Sequence, residues 1–221
     1  PRCDEALLVD AVDFSTFQAH DMLMLSKIAD ELGQVEQSAF WENEAQVMSQ
    51  QIYDQLWSNE LNIYVDIPAQ ADVTISPVAA SSGFLPLMLP DIPSEHVEKL
   101  VQTLQDPSQF WSPFPVPSVA LNHATWSTDM WRESTWLNFN YLIMLGLQRR
   151  GQHTVAEALR DQTLALVGHY YNRYGVLFEF YDARDERQPY ALDRKGPYQP
   201  PYDFRKKYHT IRDFHWTAAT V

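Results

Sequence analysis

Hydrophobic side chains recur at helical spacing through much of the chain. Phe17, Met24, Leu25, Ile28 and Leu32 mark one face of a helix predicted over residues 15–34, with Ser15 as its N-cap and Gly33 as its stop. A second helix is predicted over 36–57, with Phe40, Val47, Ile52, Tyr53 and Leu56 as its buried positions. The link between the two is so short that they must form an antiparallel hairpin. The pattern then changes. Residues 57–62 read as a turn, and Ile63 to Ile67 alternate as a strand does.

Shorter helices follow over 77–89 and 93–104, the second with Pro93 in its first turn. Residues 106–130, rich in proline and aromatic residues, read as a long loop of the kind that usually carries function. A strongly apolar helix is predicted over 133–150, stopped at Gly151, with a partner over 153–173. Tyr174 to Asp182 then repeats the earlier turn and strand. Both extended segments follow a helix hairpin, and both place an aromatic residue two positions before an Asp: Tyr64 before Asp66, and Phe180 before Asp182. Repeated hairpins with loops gathered at one end build a toroid or a solenoid. Two unrelated hairpins of a helical bundle are the alternative.

Composition narrows the partners. The 221 residues are enough for one domain with a sizeable core, and a formal charge of −13 excludes phosphate-rich partners such as nucleic acid or an anionic membrane. The one basic run, Arg205-Lys206-Lys207, reads as a solvated loop. No apolar stretch approaches the length of a spanning helix. The single cysteine, Cys3, cannot form an intramolecular disulfide, so it says nothing of the redox compartment. The chain starts at Pro1, so the absence of a leader is uninformative about compartment. The 7 Trp, 11 Tyr and 11 Phe are suited either to filling a core or to stacking on the apolar faces of sugar rings.

Three segments could carry chemistry. Trp131 to Asn140 holds two Trp, Arg132, Glu133 and two Asn where a loop enters a helix. Trp136 and Asn140, four apart, would share a helix face, one for stacking and the other for hydrogen bonds to hydroxyls. A capped helix with core tryptophans would look the same. Glu179 sits between Phe178 and Phe180, and strand alternation puts it on the face opposite both. It is then either a surface carboxylate or one aimed into a pocket, where desolvation would raise its pKa. The third segment, Asp213 to Ala219, places His215 and Trp216 at the mouth of a helix. Zinc-ligand spacing, a phosphate-binding glycine loop and a nucleophile elbow are all missing from the sequence, so no metal and no cofactor is expected.

Together these segments resemble glycoside hydrolase family 63 and its relatives: processing α-glucosidases, mannosylglycerate hydrolase-like enzymes and, more distantly, trehalases. A Trp-Arg-Gly-Pro-x-Trp-x-Asn-x-Asn-like motif is matched by Trp131 to Asn140. A Gly-x-x-x-Glu-x-Tyr-Asp-like motif is matched by Gly175, Glu179, Tyr181 and Asp182. A Phe-x-Trp-Thr-Ala-Ala motif is matched by Phe214 to Ala219. Ser82 to Leu87 and Phe114 to Val119 also resemble family segments. This chain departs from the first motif, since Glu133 and Ser134 stand where the family often has Gly-Pro. Glu133 could contact ligand or could cap the helix.

The resemblance implies an all-α fold, an (α/α)6 toroid of helix hairpins of which residues 1–221 would be a C-terminal portion, about half, with short extended loops at one end. It implies inverting hydrolysis of α-linked glucosides or related α-glycosides. Such a reaction needs two carboxyl groups about 6.5–9.5 Å apart, one protonating the leaving oxygen and the other activating water. Glu179 matches the family's general base. Trp131, Arg132, Trp136, Asn140, Tyr181, His215 and Trp216 are the expected substrate-binding residues. The family's general acid would lie just upstream of Pro1, so the isolated chain is expected to be inactive. Its expected partners are an oligosaccharide or small glycoside and the N-terminal remainder of the same enzyme. A non-catalytic carbohydrate-binding toroid and a helical-repeat interaction scaffold remain alternatives.

Overall fold

The computed structural model describes residues 9–70, 72, 74–124, 126, 130–194 and 209–221, together with the backbone of 2–3 and 6–7. Pro1 and the basic run 205–207 lie outside these residues. Pro1–Leu100 and Val101–Val221 are two compact units, each built around a helix hairpin. The described residues hold seven α-helices and two short 3-10 helices, with strands of only two residues each. None of the helices is long and apolar enough to cross a membrane.

In the first unit, α1 (Val12–Glu31) and α2 (Val35–Gln55) form the predicted antiparallel hairpin. Gly33 takes a left-handed conformation (φ +69°) that a residue with a Cβ adopts only at a cost. There it closes the end of α1, with its N–H on the Asp30 carbonyl and that of Gln34 on the Ala29 carbonyl. Two expectations change. The helix begins three residues before Ser15, and its N-terminal N–H, on Val12, is capped from afar by the Asp66 carboxylate at 2.9 Å. The buried positions are Val12, Thr16, Ala19, Ser26 and Ala29 on α1 and Ala45, Ser49, Ile52 and Tyr53 on α2, and the Ser26 and Ser38 hydroxyls meet at 3.2 Å across the hairpin. Phe17, Leu25, Ile28, Leu32, Phe40 and Val47 lie exposed among the described residues, whereas Ile52, Tyr53 and Leu56 are buried as expected.

The strands pair locally: β1 (Arg2–Cys3) with β2 (Ala6–Leu7), β3 (Val9–Asp10) with β6 (Ile67–Pro68), and β4 (Trp57–Ser58) with β5 (Ile63–Tyr64), all antiparallel. Ser81–Met88 is a buried 3-10 helix rather than the predicted longer helix. Pro86 within it has no N–H to offer an α-helical ladder. Helix α3 (Ser94–Leu104) begins in this unit and ends in the next.

In the second unit, α5 (Leu137–Arg149) packs against α6 (His153–Tyr174). The predicted helix over 133–150 is broken. A four-residue turn, α4 (Met130–Glu133), comes first, and Trp136 is extended. Thr135 explains the break. It exchanges backbone hydrogen bonds with Tyr181, N to O 2.9 Å and O to N 3.1 Å, which are incompatible with a helical ladder. Gly175 (φ +69°) ends α6 and turns the chain into the Glu179 segment. The 106–124 loop does not wander over the surface. It runs back to this segment, with Phe114 N–H on the Ala183 carbonyl and Ser118 N–H on the Ser134 carbonyl. The short helix α7 (His215–Thr220) packs on α5.

Candidate active site

The three segments singled out from the sequence are knit together by main-chain bonds. Thr135 pairs with Tyr181, the Glu179 N–H reaches the Ile211 carbonyl at 2.9 Å, and the Phe214 N–H reaches the Leu177 carbonyl at 3.1 Å. The Thr217 hydroxyl donates to the Phe178 carbonyl at 2.7 Å, fixing the start of α7 against the same segment. Residues 176–182 do not form the regular strand that alternation suggests, because isolated bridges alternate with bends there. Phe178 and Phe180 therefore do not share one face. Phe178 joins a core with Phe114, Tyr170 and Tyr181, while Phe180 joins Trp136 and Leu192.

Glu179, between them, is buried, with 2% of its surface exposed. A buried carboxylate needs a charge partner and hydrogen bonds. Arg194 Nε supplies both, sitting 2.9 Å from Oε2 and 3.1 Å from Oε1. The Ile211 N–H adds a longer bond to Oε2 at 3.3 Å. An ionised carboxylate offers about four lone-pair directions. Among the described residues three bonds reach the carboxylate, two of them on Oε2 and one on Oε1. The matching position of the internal repeat, counted back from Asp66, is Ile63, fully buried. Packing at the matching place in the first unit is met by an aliphatic side chain.

A file of rings adjoins this segment. Trp131 stacks face to face on Trp136 with centroids 3.8 Å apart and planes 3° from parallel. Trp136 touches Phe180 and Phe214, and Phe214 touches His215 and Trp216. Trp136 is buried under Trp131, so Trp131, 41% exposed, presents the outward face. The Trp136 indole N–H is buried without a partner among the described residues. Arg132, His215 and Trp216 are exposed.

The other expected contacts fall elsewhere. Asn140 does not share a ligand face with Trp136: its amide donates to the Pro115 carbonyl at 3.1 Å and to the Thr163 hydroxyl at 3.0 Å, inside the α5–α6 core. It borders a cleft of about 250 Å³ with Leu137, Tyr141 and Leu164, and Glu179 is not part of that cleft. Tyr181 is fully buried, and its hydroxyl accepts the Phe178 N–H. Both residues hold main chain near the Glu179 segment through these bonds.

Glu133 neither caps a helix nor faces solvent. It is 2% exposed and pairs with Arg187. Burial pushes its carboxyl up to about 7; the neighbouring Asp182 charge adds to the rise and Arg187 opposes it. Neither Arg187 nor Arg194 belongs to a motif visible in the sequence. Each reaches its carboxylate across a loop, so no spacing rule could have found it. Among the described residues no cluster of His, Cys, Asp and Glu is arranged to hold a metal.

Residues 2–217 match the model of the mannosylglycerate hydrolase MGH1-like glycoside hydrolase domain. The chain belongs to this glycoside hydrolase family. Similar sequences include a protein of Schizosaccharomyces pombe described as "Probable mannosyl-oligosaccharide glucosidase", 25% identical over 200 residues covering 82% of this chain and 24% of that protein. A mannosylglycerate hydrolase of Rubrobacter radiotolerans is 29% identical over 171 residues, 75% of this chain and 38% of the relative. The chain therefore spans well under half the length of these relatives. Among solved structures, the family 63 mannosylglycerate hydrolase of Thermus thermophilus in complex with glucose superposes with a TM-score of 0.63 at 24% identity, over 79% of this chain and 42% of that one. The neutral trehalase of Saccharomyces cerevisiae gives 0.67 at 17% identity, over 80% and 35%. These likenesses place the fold of the family member in the all-α toroid class of helix hairpins, as the resemblance implied.

Proposed function

We propose that this family member is part of a glycosidase that hydrolyses α-linked glucosides or related α-glycosides with inversion, and that Glu179 is the general base. The observation that carries the reading is the state of Glu179: buried beside the aromatic file and charge-compensated by Arg194, whose Nε–H spans both carboxylate oxygens. A carboxylate so held can accept a proton from a water molecule as that water attacks the anomeric carbon. A second carboxyl group, on the opposite side of the sugar, delivers a proton to the leaving oxygen. Arg194 holds both oxygens of the base, and the aromatic file from Trp131 to Trp216 offers ring faces for the sugar.

The test is Glu179→Gln in the full gene product, assayed on an aryl α-glucoside. Glutamine keeps the shape and removes the base, so kcat should fall about 10³-fold or more with KM nearly unchanged. Proton NMR of the first-formed sugar should show the β anomer. A loss of less than about tenfold, or release of the α anomer first, would overturn the assignment.

A further inference from the structure

Glu133 ends the turn that carries Trp131, and it is joined to an arginine while almost wholly buried. Its partner Arg187 belongs to a loop that is itself held stiffly. The Asp182 carboxylate accepts the N–H groups of Arg184 at 3.2 Å, Glu186 at 3.0 Å and Arg187 at 2.7 Å. The Tyr170 hydroxyl, on α6, donates to Asp185 at the left-handed corner of the loop. Arg187 Nε also lies 3.7 Å from Asp182, so its guanidinium is set between two carboxylates. Met130–Glu133 is only four residues long, too short to hold its own orientation, and the next residues leave it for the Thr135 bridge and the extended Trp136.

We propose that Glu133 is a positioning residue of the site: its carboxylate, latched to Arg187, holds the Met130–Glu133 turn so that Trp131 lies flat on Trp136 and turns its outer face to the sugar. The inference rests on reading the aromatic file as a sugar platform. It accounts for a buried carboxylate at a place where the family often has glycine, and it makes the tilt of the platform a property of this chain's own ion pair. Glutamine at 133 can still accept from Arg187 and donate to Asp182. Alanine can do neither.

Two indoles stacked at 3.8 Å and 3° couple electronically and contribute to the far-ultraviolet circular dichroism an exciton couplet whose sign and size are set by the twist between the two rings. Trp131→Ala identifies that couplet by abolishing it. Glu133→Ala and Arg187→Met should each lose most of the couplet, and glucose binding, followed by ligand-observed NMR, should weaken about fivefold to tenfold. Glu133→Gln should keep the couplet and stay within about twofold of the parent in glucose affinity. A couplet and a glucose affinity unchanged in Glu133→Ala would overturn the proposal. If Glu133→Ala fails to fold, Arg187→Lys tests the same point: it keeps the charge but not the planar fork and should lose part of the couplet, and an unchanged couplet there would overturn the proposal equally. Loss of the couplet in Glu133→Gln as well would also overturn it, since hydrogen bonding to Arg187 would then not be what sets the stack. The outcome is separable from that of the catalytic assignment, because Glu179→Gln should abolish hydrolysis with the couplet intact.

Discussion

Arg194 places a single Nε–H between the two carboxylate oxygens of Glu179, 2.9 Å from one and 3.1 Å from the other. The pair is nearly sealed on the glutamate side and partly open on the arginine side, with the two side chains 2% and 22% exposed. Such a contact answers the desolvation of the carboxylate more than it adds net stability.

It follows that removing the arginine should hurt more than removing the pair. Arg194→Met leaves a buried charge without its counter-ion and should lower unfolding free energy by about 1–3 kcal/mol, a range that allows for the arginine's partial exposure. Adding Glu179→Gln to it should restore most of the loss. Urea unfolding of the two single variants and the double variant measures this; a double variant no more stable than Arg194→Met would contradict the account.

Glu133 makes stability depend on pH. Its carboxyl is raised from an ordinary 4.5 to about 7 by burial. The folded state therefore holds a proton that the unfolded state releases between those values, and stability falls as pH rises through that window. Relative to Glu133→Gln, which cannot titrate, the parent chain should lose up to about 3 kcal/mol between pH 5 and pH 8. Parallel pH-dependent urea curves for the two proteins would count against a buried, titrating Glu133.

Gly83 has no room for a side chain. A Cβ built there would lie 2.4 Å from the Tyr64 carbonyl oxygen and 2.5 Å from Ile63 Cγ1. The first of these is backbone of the β4–β5 hairpin and cannot swing aside. Gly83→Ala should destabilise the first unit by about 2–4 kcal/mol, seen as a lowered thermal midpoint.

Asn140 should behave as a brace. Its amide bonds to Pro115 and Thr163 hold the 106–124 loop against α5 and α6. Asn140→Ala should cost about 1–3 kcal/mol in stability and leave glucose affinity within about twofold. Trp131→Ala should do the reverse, with a small stability change and weakened binding of glucose.

How far the sequence could be read depended on the range of the interactions involved. The two hairpins, the stops at Gly33 and Gly151, and the internal repeat ending at Asp66 and Asp182 rest on contacts within a few residues, so spacing and residue type disclosed them. The ordered motifs from Trp131 to Ala219 disclosed the family for the same reason. Where a helix broke or a face turned, the cause came from far along the chain. Tyr181 pulls Thr135 out of the helix predicted over 133–150, and Asp66 starts α1 ahead of Ser15. Phe17, Leu25, Ile28 and Leu32 of the first helix and Phe40 and Val47 of the second gave the right period but the wrong buried face, because periodicity marks a stripe without naming what packs on it.

The amino-acid sequence by itself determined that this chain is helical, built of repeated hairpins and marked by a carboxylate at position 179 among aromatic neighbours. Only the tertiary structure decided what surrounds that carboxylate. The Arg194 and Ile211 bonds to Glu179, the Arg187 latch on Glu133 and the engagement of Asn140 in the core all join residues at least 15 positions apart. A polar group leaving water must find its partner wherever the folded chain brings one close, and that proximity is written in no local pattern.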